Sequence, residues 1–164
     1  MQDLTAALNE VGAVLNTVAD PRNGDLARDP GARALRQGLA QLAGSAVMPN
    51  AVATAPRTLA DLGLATERNG TFRLDTTRLG ATMARDPAGV AAMFTTGIYG
   101  VFASIDGLTR RATALGNPGS LGGSIARYTA QAAQTKDDLA TIAEKQETLR
   151  ARDRKSTRLN SSHG

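Results

Sequence analysis

Apolar residues recur near the start of the chain at Leu4, Leu8, Val11, Leu15 and Val18, in alternating steps of four and three. Those steps place them on one stripe of an α-helix. Asp20-Pro21 closes this segment, and Arg22 to Asp25 reads as a loop. A second helix is predicted after Asp29-Pro30, with Asp29 as its N-cap and Pro30 at the first helical position. Leu35, Leu39, Leu42 and Ala46 then share one face. Ser45 to Pro56, with its Ala, Thr and Pro content, reads as a mobile connection.

The pattern changes between Leu59 and Phe94. Thr58 followed by Asp61 resembles a shortened capping box, stopped by Gly63. Leu64 to Arg68 and Thr71 to Asp75 flank Asn69-Gly70, the dipeptide that most cheaply supplies the positive φ angles of a two-residue type I′ turn. Leu64 and Thr66 alternate with Ala65 and Glu67, and Phe72 and Leu74 alternate with Arg73, so one hairpin face is apolar. Two strands alone are marginal in water, and this face must lie on helices. Asp75 is expected to cap a helix carrying Leu79 and Met83. Asp86-Pro87 starts another, with Val90, Met93 and Phe94 as its buried set.

A longer helix is predicted from about Ile98 to Leu115, with Val101, Ile105, Leu108, Ala112 and Leu115 on its stripe. The loop that begins at Gly116 leads into the last and longest helix, from about Leu121 to Arg152. There Leu121, Ile125, Tyr128, Ala132, Thr135, Leu139, Ile142, Gln146 and Leu149 keep seven-residue spacing. Such spacing favours a left-handed supercoil with a partner. At 1.5 Å per residue this helix reaches on the order of 50 Å, more than a compact domain of this size requires. The expected fold is mainly α, an extended helical bundle with coiled-coil segments and one β-hairpin at about residues 64–75. Residues 1–118 form the bundle part with the hairpin, 119–152 the heptad helix, and 153–164 a polar basic tail expected to be disordered.

Composition narrows the function. The chain has 164 residues, of which 41% are apolar but only 3% aromatic, a balance that suits helix–helix seams. It has no cysteine, which leaves no disulfide framework and no thiolate chemistry. No apolar run approaches the roughly 20 residues that span a bilayer. MQDLTAALNE shows no basic region followed by an apolar block, so no cleavable signal peptide is visible. The net charge of +4 invites a nucleic-acid reading, but five basic residues and one acid lie between Arg150 and Gly164. The remainder has 14 of each sign (19 less 5 basic, 15 less 1 acidic) and is neutral. A nucleic-acid binder needs a basic face on its folded body, and none is expected here.

Nothing assembles into catalytic chemistry. The glycine-rich loop after Gly116 lacks the Lys of a P-loop and follows a helix rather than a strand, so it reads as a flexible helix connection. Asp137, Asp138, Glu144 and Glu147 lie mostly on the solvated side of the heptad helix, with Glu147 and Arg150 spaced for an ion pair. The single histidine, His163, sits in the tail, away from any triad. No catalytic, cofactor-binding or metal-ligating residue is assigned. The candidate site is instead a helix-partner seam: Leu4, Leu8, Val11 and Leu15 on the first helix, and Leu121, Ile125, Tyr128, Leu139, Ile142 and Leu149 on the last. Thr135 and Gln146 within it either set the register or loosen the seam.

The order of parts resembles the C-terminal region of the flagellar filament cap family, hook-associated protein 2. The opening helix, ARALRQGLAQL, the block from Leu59 to Thr95, Gly122-Gly123-Ser124 and the ending KQETLRAR carry the resemblance. The resemblance implies a non-enzymatic structural protein, secreted through the flagellar export channel and located at the extracellular tip of the filament. It implies a homo-oligomer that supports flagellin polymerisation, with no cofactor, nucleic acid or membrane as partner. Its implied partners are further copies of itself, flagellin, and the N-terminal half of the same protein, missing from this sequence. After Arg152 the family's apolar heptads give way here to DRKSTRLNSSHG, which marks Asp153 to Gly164 as foreign to the family pattern. The alternatives are another secreted axial protein, of the hook–filament junction or flagellin type, or a helical adaptor whose basic tail meets an anionic surface.

Overall fold

Asp residues set the starts of three helices. In the computed structural model, which describes residues 1–161, helix α1 spans Gln2–Val18 and α2 spans Pro30–Gln41. The buried Asp29 carboxylate accepts from Ala32 N at 2.9 Å and opens α2. Asp75 and Asp86 do the same for α3 (Thr76–Arg85) and α4 (Pro87–Met93), accepting from Arg78 N and Gly89 N. Helix α5 covers Val101–Thr113 and α6 covers Leu121–Ser161. A 3-10 turn at Leu59–Leu62 carries the complete Thr58–Asp61 capping box. With strands β1 (Leu64–Thr66) and β2 (Phe72–Leu74) as its only sheet among the described residues, the fold is mainly α with one small antiparallel hairpin.

Contacts divide the chain into two units, Met1–Ser124 and the stretch from Ile125 onward, so the first turn of α6 belongs to the first unit. The core of the first unit joins Leu8 and Leu15 of α1 to Leu39 and Leu42, to Leu59, Leu62, Leu64 and Phe72 of the module, and to Val90, Met93 and Val101. Leu59, Leu62 and Met93 are fully inaccessible to solvent. The hairpin's apolar face supplies Leu64 and Phe72 to this core, and β2 contacts α1. Asn9 completes the free edge of β2: its side-chain amide donates to Phe72 O at 2.9 Å and its carbonyl accepts from Phe72 N at 2.6 Å.

Five local expectations are corrected. The hairpin lies where expected, but its strands are shorter than the segments flanking Asn69-Gly70 and its turn differs. The strands register Leu64 with Leu74 and Thr66 with Phe72, Glu67 N donates to Thr71 O, and Gly70 N donates to Glu67 O. Gly70 has φ 84°, while Asn69 stays out of the left-handed region. This is a three-residue loop, a type I turn closed by a left-handed glycine, in place of a type I′ turn. Asn69 acts through its side chain, which accepts from Thr71 N and the Thr71 hydroxyl.

The stretch Ser45 to Pro56 is tied to the core rather than mobile. Val47 N and Met48 N donate to Arg57 O, Ala46 bridges Thr58, and Val47 is buried. On α3 the buried position is Thr82, whose hydroxyl donates to Asp61 O, while Met83 is half exposed. Helix α5 starts at Val101 and ends at Thr113, leaving Ile98 and Leu115 exposed at 85% and 70% outside it. Last, α6 runs on through Arg152 to Ser161, in place of a disordered tail. No Gly or Pro interrupts Asp153 to Ser161, and Arg154 pairs with Glu147 at 2.9 Å, so helix propagates at little cost. The end of that expected tail, with His163, lies outside the described residues.

Candidate association surface

The ten seam residues separate into two groups. On α1, Leu8 and Leu15 are buried in the chain's own core, Leu4 packs partly against it, and Val11 is exposed. The α1 stripe is therefore core-facing, apart from Val11. The side of α1 that leads into the hairpin explains this. Gly12 sits against the turn, where an added Cβ would stand 3.8 Å from Gly70 O, and Asn9 and Asn16 bond the backbone of Phe72 and Asn69. Small and amide side chains let the hairpin close over the leucines, and helical spacing alone does not reveal them.

On α6 the outcome is the opposite. Leu121 is partly buried within the first unit, while Ile125, Tyr128, Leu139, Ile142 and Leu149 are each between 46% and 62% exposed. Their seven-residue spacing sets them in line along one continuous helix. The helix as a whole is weakly amphipathic because Thr135, Gln146 and several alanines interrupt the line. Around it lie exposed charges: Glu147 meets Arg150 at 3.9 Å and Arg154 at 2.9 Å, and Asp138 accepts from Gln134. The seam turns polar beyond Leu149, where the same spacing falls on Asp153, Ser156 and Asn160.

The start of α6 is held firmly. Ser120 is buried, its hydroxyl accepts from Gly123 N at 3.0 Å and donates to Asn117 O at 2.8 Å, and it also reaches Ala114 O. A Cβ on Gly123 would stand 1.9 Å from Asn117 O, and one on Gly31 2.3 Å from Leu121 N. The glycine-rich loop is thus a close-packed junction between α2, α5 and α6, in place of a flexible connection.

Conventional chemistry has little to work with. Among the described residues no group of three or more His, Cys, Asp or Glu side chains could hold a metal ion. The groove between α1, α2 and the hairpin turn is lined by Gly12, Asn16, Arg36, Leu39 and Arg68 and presents no nucleophile paired with a base. One carboxyl departs clearly from its ordinary value. Partial burial works to raise the Asp61 pKa, but hydrogen bonds from Arg57 N and Thr58 N, the Thr58 side chain, and the charge of Arg78 together outweigh it and lower the value. Its bonds are those of a cap, and its function is local structure.

Comparison with protein families matches residues 6–160 to the family described as flagellar hook-associated protein 2 C-terminus. The chain belongs to this family. No curated protein and no solved structure matches it. It is thus a hook-associated, structural member of the filament-cap family. The family match extends to residue 160 and so takes in most of the segment whose composition sets it apart as foreign. Like the helix itself, the match does not stop at Arg152. No helix among the described residues is long and apolar enough to cross a membrane.

Sequence reasoning misses two features. Asn9 holds the hairpin edge, and its only sequence signal is an amide one step beside the α1 stripe. Ile98, Tyr99 and Phe102 are all exposed next to the α4–α5 loop, although periodicity puts Ile98 at the head of a core-facing helix.

Proposed function

We propose that this chain is part of the cap at the distal end of the bacterial flagellar filament, where it supports flagellin polymerisation as a structural element. In this reading it acts outside the cell, after export. Its partners are further copies of itself, flagellin, and the N-terminal part of the same protein. The role requires no cofactor. Family membership supports the place of action, and the exposed heptad line from Ile125 to Leu149 carries the mode.

The magnitude matters. Each of the five apolar side chains on that line is about half exposed, so covering it contributes about 1 kcal/mol. About 5 kcal/mol per helix, set against the cost of ordering two chains, supports weak pairing only. A surface of that strength works where an assembly holds its helices close together, as at a filament tip. Immunogold labelling with antibody to this chain, on filaments from cells that make it, tests the reading. Gold confined to distal filament ends is the expected result; gold along the shaft or only at the cell body overturns it.

A further inference from the structure

Charge is unevenly shared between the first two helices. Helix α1 carries Asp3 and Glu10 and no base, while α2 carries Arg33 and Arg36 and no acid. All four are exposed, as is Arg68 in the hairpin loop, and none of the five forms an ion pair among the described residues. Arg36 and Arg68 flank a groove of about 310 Å³ that is lined also by Gly12, Leu39 and Gly70 and by no carboxylate. Neither glycine brings a side chain, which leaves room beside Leu39 for a small apolar group. On α1, Asp3, Ala7, Glu10, Val14 and Thr17 form a second stripe in steps of four and three, every member exposed. At about 100° per residue this stripe lies about 160° around the helix from Gly12 and Asn16.

We propose that the acidic stripe on α1 of one copy of this chain docks in the Arg36–Arg68 groove of a second copy. This deepens the reading of further copies as partners and rests on it. Glu10 meets the second copy's Arg36 and Arg68, and Val14, one turn on, covers its Gly12 and Leu39. Asp3 and the second copy's Arg33 add a more distant attraction. Stripe and groove lie on opposite sides of α1, so a copy does not fill its own groove and the contact is head-to-tail. Each copy then offers its stripe to one neighbour and its groove to another. Repetition of such a step closes a ring or runs on as a helix, according to the rotation between copies.

The charges select this pairing over its simplest competitors. Stripe against stripe sets Asp3 and Glu10 against like charges, and groove against groove does the same for Arg36 and Arg68. An acidic segment from elsewhere, the N-terminal part of the same protein included, fills the groove but leaves the opposite stripe open, with Val14 58% exposed. A second copy brings both complements at once. Charge pairs at an exposed rim are individually weak and screened by salt. The contact therefore gains most where an assembly already keeps the copies close.

The test uses the full chain with Leu139→Lys and Ile142→Lys, so that the α6 seam does not contribute, and sedimentation at low salt. The expected result is reversible association that weakens at least tenfold with Glu10→Arg, and likewise with Arg36→Glu. Mixing those two variants restores it, as does combining both changes in one chain, which misfolded variants would not do. A chain that stays monomeric at every concentration, or association indifferent to both reversals, overturns the contact. In a second measurement, NMR amide shifts at Gly12 and Gly70 are expected to move with concentration together with those at Ala7 and Val14. Movement of the stripe alone means stripe-to-stripe contact. Groove amides that move only when the N-terminal part of the protein is added assign the groove to that segment, and either outcome overturns the proposal. Immunogold labelling of filament tips judges the cap reading independently of these results.

Discussion

The carboxylate of Asp61 accepts from Arg57 N and Thr58 N, each at 2.9 Å, while Asp61 N donates to the Thr58 hydroxyl at 3.1 Å. These bonds are made with the charged form, which is why its pKa is lowered in the folded chain despite partial burial. A carboxyl with a depressed folded pKa contributes stability above its unfolded pKa of about 3.9 and loses it as pH falls through the folded value. Asp61→Asn is therefore expected to cost about 1 kcal/mol at pH 7. The gap between variant and parent should close as pH drops below about 4. Urea unfolding at pH 7 and pH 3 checks both parts, and an equal gap at the two pH values defeats the account. Asn9 acts at the same scale by a different route. Asn9→Leu strips both partners from Phe72 at a part-buried strand edge, with an expected loss of about 2 kcal/mol in the same assay.

Helices α1 and α6 carry the same steps of four and three, yet the structure buries one line and exposes the other. Periodicity defines a face; it does not say what covers it. In α1 the covering is decided by Asn9, Gly12 and Asn16, whose meaning depends on a hairpin more than fifty residues later in the chain. The caps at Asp29, Asp75 and Asp86 are legible in the sequence because each acts within its own first turn. The Asn69-Gly70 turn is half legible: glycine takes the left-handed position, but the Glu67–Thr71 pairing lengthens the loop and keeps Asn69 out of the left-handed region. The junction before α6 reads as flexible because glycines permit both freedom and close approach, and only packing distinguishes the two. That difference is measurable. Gly123→Ala forces a Cβ onto the Asn117 carbonyl and is expected to lower stability by about 3 kcal/mol. Gly80→Ala, in α3 with open space around it, should raise stability by up to about 1 kcal/mol. A Gly123→Ala chain as stable as the parent would mean that the junction is not close-packed.

The whole chain couples a unit with its own core to a helix that lacks one. In the first unit, Leu59, Leu62 and Met93 are sealed from solvent, and its backbone hydrogen bonds should open only with global unfolding. From Ile125 onward the helix rests on local bonds and surface ion pairs, which hold an isolated helix only marginally. Its stability should then be borrowed from whatever covers its seam, because binding to the helical state alone shifts the balance by mass action. Hydrogen exchange makes this visible as a dependence on concentration. Amides from Ile125 to Leu149 are expected to exchange fast in dilute solution and to slow at least tenfold as concentration rises through the range where chains associate, while amides at Leu59 and Leu62 stay unchanged. Leu139→Lys with Ile142→Lys removes the central layers of the seam and should keep exchange in α6 fast at every concentration, again without effect on the core. Protection of α6 that ignores concentration in the parent chain would mean that the helix is stable by itself, and the exposed line would lose its claim to be where this chain meets others.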